Sequence, residues 1–394
     1  MALHRTQVVI VGGGMIGLSL AIALRQQKKN VVLIERRAKT ADIPEQLQLR
    51  VSAISEGSRN WLQALGVWSQ LPADRLGPYQ GMEVWDKDSS GRISFSAEEA
   101  QLQNLGHIVE NAVLEAVLWQ QAETLGVQLI SEVEHEAPEL SAQDVSLSLS
   151  NGDIVLAQLL VAADGAQSKL REQAGTPVTF KDYEQQGLVA TIRTAQPHNG
   201  IARQAFMPGG PLALLPMADP HLCSIVWSLP TLKAQSYAEE SEADFVKRLA
   251  VASDSILGIP ELVSERQNFP LRMRYAERWV SGRQVLVGDA AHTIHPLAGQ
   301  GANLGLGDVE TLANMLGQLG TLNGVWDDVE LKRCLQGFQR ARKAAAVQQI
   351  ATMEAFHQLF RTANPVLKLM RGIGLKTVNA QPLLKRFFMQ QASR

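Results

Sequence analysis

The sequence predicts an α/β fold in which a Rossmann-like dinucleotide-binding domain is interleaved with a β-sheet domain and followed by a helical C-terminal region. Three observations predict it. The chain opens with a strand, a glycine turn, a helix and a second strand in 30 residues. Two later segments, around residues 159–175 and 284–318, repeat the order of strand, tight turn and helix. Between them, residues 180–275 break into short β-branched runs separated by turns.

The opening unit is "QVVIVGGGMIGLSLAIALRQQKKNVVLIERR". Gln7 to Val11 is a short apolar run of the kind that forms a buried parallel strand. Gly12, Gly14 and Gly17 fit G-x-G-x-x-G: the first permits a tight turn, the second lets backbone approach a pyrophosphate, and the third lets helix pack closely on strand. "MIGLSLAIALRQQ" supplies the helix, whose N-terminus favours an anion. "NVVLIE" is the second strand and ends at Glu35, 18 residues after Gly17. A carboxylate there accepts hydrogen bonds from ribose hydroxyls. The motif alone is weak; with strand, helix, second strand and terminal acid in place it reads as an adenine dinucleotide site, NAD or FAD.

In the middle, "LLVAADGAQSKLREQAG" gives a strand ending in Asp164-Gly165, then a helix carrying Ser168 and Arg171. Taken alone it is a capped helix after a tight turn. The third unit is "RQVLVGDAAHTIHPLAGQGANLG". Asp289, His292 and His295 at intervals of three suggest a metal site, but Gly288, Gly299, Gly301 and Gly305 with Pro296 are poor material for the helix such a site needs. No metal is predicted. Residues 187–229 supply "GLVATIRT", "RQAFM", "LALLPM" and "LCSIVWSL" as strands, and Phe206, Leu215 and Trp227 read as core or, for some of them, as the lining of an apolar substrate cavity.

Composition sets outer bounds. A chain of 394 residues with formal net charge −2 gives no overall sign of a nucleic-acid partner. Cys223 and Cys334 are too few for a disulfide framework, and with no signal or membrane-spanning run a cytoplasmic location is expected. From Ala355 to Arg394 there are seven basic residues and no acidic one. A basic amphipathic helix of this kind rests on anionic lipid, docks on a partner, or packs on the body with a solvated basic face.

The three signatures together, the GxGxxG with Glu35, "ADGAQSKLR" and "GDAAHTIHPLAGQGANLG", resemble those of the single-component aromatic-ring flavoprotein monooxygenases, the para-hydroxybenzoate-hydroxylase-like enzymes. The resemblance implies FAD as cofactor and NAD(P)H as a transient electron donor with no second GxGxxG. It implies that Asp289 contacts the ribityl chain and that Gly299, Gly301 and Asn303 bring backbone to the isoalloxazine and pyrophosphate. Asp164 and Gly165 then serve FAD and NAD(P)H, Arg50 lies near the pyrophosphate, and Gly288 and Pro296 belong to the same cofactor-binding loop. "GMEVWDKDSSGRISF", "LGHIVENAVLEAVLW" and "DPHLCSIVWSL" narrow the resemblance to the ubiquinone-biosynthesis ring hydroxylases, most of all to those acting on a polyprenylphenol at ring carbon 5. Glu110-Asn111 stands where many relatives in the wider superfamily carry an arginine, and its local role stays unassigned.

The implied domain pattern is FAD-binding at 1–78, 105–179 and 276–345, a substrate-domain insertion at 79–104, a β-rich substrate domain at 180–275, and a basic amphipathic helical region at 346–394. The implied chemistry is transfer of OH from a flavin C4a-hydroperoxide, formed with O2, to an electron-rich polyprenylphenol. The phenol-activating residue is not legible; by chemistry His295, His221 and the tyrosines are the options. Assembly with quinone-pathway proteins and contact with a membrane surface through residues 355–394 are expected, with oligomeric state open. The alternatives are a sister hydroxylase acting at another ring carbon, a different flavin monooxygenase or flavin reductase, and a flavin-binding scaffold without catalysis.

Overall fold

The structure is a computed structural model that describes residues 2–39, 42–294 and 301–361. It is mixed α/β, built on two large sheets. The first has eight strands and a parallel centre, in the order Val280–Ser281, Gln284–Leu286, Ile154–Ala162, Leu3–Val11, Val31–Ile34, Gln128–Ile130. Two short antiparallel strands, Val145–Ser148 and Glu139–Leu140, extend it from Ile154–Ala162. The first strand begins at Leu3, four residues earlier than its apolar run, because His4–Thr6 pair with Val155–Ala157 as a half-exposed extension.

Register decides where a ligand can sit. Val11 pairs with both Ala162 and Ile34, and Ala162 pairs with Leu286, all in parallel. Four strands therefore end at one level, and the chain leaves them at Gly12, Glu35, Ala163–Asp164 and Val287–Gly288. In an open parallel sheet, the space beyond the carboxyl ends of the strands is where ligands bind. The helix Met15–Gln26 packs on this sheet with nine buried residues from Met15 to Leu24. Its neighbours are the helices Asn111–Thr124 and Gly301–Gly317. Together they bury Leu18, Leu20, Ile22, Val113, Leu114, Trp119, Leu306 and Val309 in one core.

The second sheet has nine strands. Its main path runs His292–Thr293, Gln267–Ala276, Val178–Arg193, Leu222–Pro230, Leu212–Pro216, Ile201–Phe206, Gly81–Asp86, Arg92–Ser96. The strand Val178–Arg193 is kinked between Asp182 and Gln185, where Glu184 takes φ +56°. One face, with Leu188, Ile192, Ile225, Trp227 and Leu229, is covered by the helices Thr231–Glu239 and Glu242–Ala252. Trp227 contacts Tyr237 and Phe245 there, so it is core. Alternation along each strand sends Ala202, Ala213, Leu215 and Val226 to the other face. These meet Ala53, Tyr79 and Ile108 of a small sheet formed by Val51–Ser55, Gly106–Glu110 and Leu76–Tyr79. That small sheet joins the two halves of the molecule. Among the described residues no helix is long and apolar enough to cross a membrane.

Candidate functional site

The glycine turn is dictated by backbone contact. Gly12 has φ +114°, and a Cβ on it would lie 2.2 Å from the Ala163 carbonyl oxygen. A Cβ on Gly17 would lie 2.0 Å from the Gly12 carbonyl oxygen, so this position holds the helix against the turn. Gly14 differs: among the described residues the only atom within 4 Å of its missing Cβ is Glu115 Oε1, at 3.8 Å. It is the N-cap of Met15–Gln26 and offers no side chain of its own as a cap, so the first helical N–H groups are left to an acceptor from elsewhere, as suits an anion.

Glu35 is buried, and its carboxylate accepts from Gly13 N at 2.5 Å and from Arg37 N and Nε at 2.9 and 3.2 Å. A carboxylate offers about four acceptor directions, so about one remains for a sugar hydroxyl. Asp164 accepts from Leu170 N through Oδ2, while its buried Oδ1 has no partner among the described residues. Gly165 has φ +83°, and no atom of the described residues lies within 4 Å of a Cβ placed on it. The helix after it spans only Lys169–Gln173, N-capped by Ser168. Arg171 on that helix is buried and donates to Ala290 O at 2.9 Å and Ala166 O at 3.0 Å, tying this segment to the turn at Gly288–Ala290. Burial lowers its pKa, with Asp164 acting in the opposite sense.

Gly288 takes φ +58°, and Gly288 N donates to Asp308 Oδ2 at 3.0 Å. Asp308, fully buried, also accepts from His292 Nε2 at 2.6 Å and Arg342 Nε at 2.7 Å. His292, one of the residues whose spacing suggested a metal, is thus spent on fixing the turn, and its ring lies 5.0 Å from that of Trp279. Among the described residues no group of three or more His, Cys, Asp or Glu could hold a metal ion. Among the described residues the Asp289 side chain makes no hydrogen bond within this network. Its side chain reaches solvent but is crowded by protein at longer range, which raises its carboxyl pKa against the pull of His292, Arg50 and Arg274. Arg50 also acts on Glu115, so its charge is felt both at Asp289 and at Glu115 beside Gly14. Its guanidinium sits 5.2 Å from the Phe269 ring of the second sheet.

Asn303 bridges rather than points outward: Oδ1 accepts from Ser55 N and Nδ2 donates to Ala53 O, at 3.0 and 2.8 Å. Gly301 opens its helix, and no atom of the described residues lies within 4 Å of a Cβ placed on it. His295, Pro296 and Gly299 lie outside the described residues. His221 sits in a turn of the second sheet, its Nδ1 hydrogen-bonded to Thr194 O at 2.8 Å. Glu110, unassigned from sequence, grips Arg75 with both oxygens at 2.7 Å and takes Gln48 N at 2.6 Å, anchoring the loop before Val51. Sequence reasoning missed Asp308, Arg342, Arg274 and Glu115. For Asp308 a signal existed, an acid set among Leu304, Leu306 and Val309 on a buried helix face.

These features fit FAD. The turn at Gly12 and the uncapped helix N-terminus suit a diphosphate, Glu35 a ribose, and the orphaned Asp164 oxygen and Asp289 the polar chain between diphosphate and ring.

A family model described as an FAD binding domain matches residues 5–333. The chain is 34% identical to the mitochondrial ubiquinone biosynthesis monooxygenase COQ6 of Danio rerio, over 98% of this chain and 89% of that one. It is also 34% identical to the 3-demethoxyubiquinol 3-hydroxylase of Escherichia coli K12, over 98% of both. The ubiquinone hydroxylase UbiL of Rhodospirillum rubrum is 33% identical over 98% of this chain and 89% of its own. Among solved structures, p-nitrophenol 4-monooxygenase PnpA from Pseudomonas putida DLL-E4 aligns over 100% of this chain and 99% of its own at TM-score 0.78, with 17% identity. PqsL from Pseudomonas aeruginosa aligns over 95% and 100% at 0.76, with 19% identity, and both likenesses speak to the fold. The relatives support the ubiquinone-hydroxylase group without singling out the polyprenylphenol C5 enzyme within it. The chain therefore belongs to the FAD binding domain family and, within it, to the FAD-dependent ring hydroxylases of ubiquinone biosynthesis.

Proposed function

We propose that this monooxygenase hydroxylates a polyprenylphenol at ring carbon 5 during ubiquinone synthesis, using O2 and NAD(P)H. The observation that carries the substrate class is the likeness, over 98% of this chain, to monooxygenases and hydroxylases of ubiquinone biosynthesis. Bound FAD supplies the activation of O2 with electrons from NAD(P)H. In this reading Gly12, Gly14 and Gly17 seat the diphosphate, and Glu35 holds the ribose. Asp164, Gly165, Gly288 and Asp289 flank the polar chain, and Arg50, Gly301 and Asn303 serve the cofactor with Pro296 and Gly299, which lie outside the described residues.

Activation of the ring requires a group that accepts a hydrogen bond or proton from the phenol. His295 and His221 are the residues we propose for it; if His221 acts, it acts through Nε2, since Nδ1 is held by Thr194 O. Tyr79 and Tyr183 suit the role less well, because burial pushes each to a pKa of about 12 and keeps it protonated. Residues 355–394 are proposed to bring the enzyme to a membrane surface or to other proteins of the pathway, on the cytoplasmic side.

The likeness to the 3-demethoxyubiquinol 3-hydroxylase over nearly all of both chains favours a second reading, in which the substrate is a later, methoxylated ring. Mass spectrometry of quinone-pathway lipids from an aerobic strain lacking the protein separates the two. Accumulation of a polyprenylphenol without the C5 oxygen, cured by wild type and not by Asp289→Ala, supports the first. A methoxylated intermediate moves the assignment to the second. Normal ubiquinone in a strain with no other ring hydroxylase overturns both.

A further inference from the structure

Glu115 belongs to the helix Asn111–Thr124 and is none of the residues that the three signatures supply, yet it reaches into the diphosphate cradle. Among the described residues its Oε1 is the one atom within 4 Å of where a Cβ on Gly14 would lie, and the Met15 N–H acts on its carboxylate. The first N–H of a helix after a G-x-G turn is the donor that a dinucleotide's diphosphate takes. We propose that Glu115 occupies the diphosphate position of the cofactor cradle as a built-in competitor, so that FAD seats fully only when this carboxyl is neutralised by a proton.

The surroundings favour that proton. Glu115 is largely enclosed, and burial raises its pKa above the usual carboxylate range. Facing it are the Arg37 guanidinium from the segment after Val31–Ile34, with Nη2 at 4.0 Å, and Arg50 from the segment before Val51–Ser55. Glu35, at the end of Val31–Ile34, opposes them. Arg37 is shared, because its Nε donates to Glu35 at 3.2 Å. An incoming diphosphate adds negative charge to this group, which disfavours the ionised form of Glu115 further. Proton uptake and cofactor binding are thus linked, and linkage requires FAD to bind more tightly as pH falls.

The inference rests on the FAD assignment, and one titration tests both. Full-length protein freed of flavin is titrated with FAD, following flavin fluorescence, from about pH 5 to about pH 8, a range lying above the usual carboxylate values. Wild type is expected to lose affinity as pH rises. Glu115→Gln is expected to abolish that dependence and to bind FAD about tenfold more tightly than wild type at about pH 8, as one pKa unit of coupling implies. Calorimetry in buffers of different ionisation enthalpy should show proton uptake by wild type and less by the variant. Glu115→Ala, which removes the charge without offering an amide, should behave like Glu115→Gln. Unchanged or weaker binding by both variants, with wild-type circular dichroism, overturns the proposal. Absence of FAD binding by any form overturns the FAD assignment itself.

Discussion

Asp308 carries more of the site than any glycine in the signatures. Its carboxylate accepts from Gly288 N, His292 and Arg342 while fully buried. Burial pushes the Asp308 pKa up, but His292 and Arg342 more than offset it, and the carboxyl is held below its ordinary value. A depressed acid contributes stability above its unfolded pKa of about 3.9, and that contribution is lost as pH falls through the lower folded value. Asp308→Asn leaves Arg342 facing a neutral amide in a dry setting and should cost about 3–5 kcal/mol. Urea melts at neutral pH would show the loss, and below about pH 4 the gap between variant and wild type should narrow. Gly17→Ala acts through sterics instead. Its new methyl meets the Gly12 carbonyl at 2.0 Å, so helix and turn must part. A cost of about 1–3 kcal/mol follows from such overpacking, accompanied by loss of bound flavin. A variant that keeps both melting point and flavin would contradict this account of the turn.

Two ion pairs pin elements to one another with very different expected weights. Arg75 and Glu110 join the loop before Val51 to the small sheet, and Glu110 is 2% exposed. Glu110→Gln should cost about 3 kcal/mol, as for other broken buried pairs, and should speed proteolysis of residues 42–50. Lys181 and Glu354 join the long strand to the helix Asp328–Arg361 at 2.6 Å, but their side chains are 41% and 27% exposed. Glu354→Gln should change stability by less than about 1 kcal/mol. What was legible in the sequence divides along the same line. Strand, turn and helix at 7–35 could be read because every determinant lies within a few residues of its partner. The small sheet could not be read, because Val51–Ser55 finds Gly106–Glu110 by long-range pairing. Trp227 was rightly read as core, yet the face it serves depends on helices that follow it. Asn303 was placed near the cofactor by resemblance, but its bond to Ser55 N spans 248 residues, and no local pattern encodes such a bond.

At the scale of the whole molecule the charge is divided along the chain. Residues 355–394 hold seven basic residues and no acidic one, leaving 30 basic against 39 acidic residues in the first 354. A net charge near zero thus conceals a basic C-terminal segment and an acidic remainder. Such a segment attracts anionic lipid by about 1 kcal/mol for each basic residue near the surface. The acidic remainder opposes close approach of the rest of the protein, so contact should be confined to the C-terminal segment. Screening weakens both effects together, since the Debye length is about 8 Å at physiological salt. Flotation of the full chain with anionic vesicles should therefore show binding at low salt that falls steeply as salt is added, and little binding to neutral vesicles. A chain ending at residue 361 should not float with either, provided it still binds FAD and so remains folded. Binding to neutral vesicles that persists in high salt would point to an apolar contact instead. Binding that survives removal of residues 362–394 would place the membrane surface on the body of the enzyme.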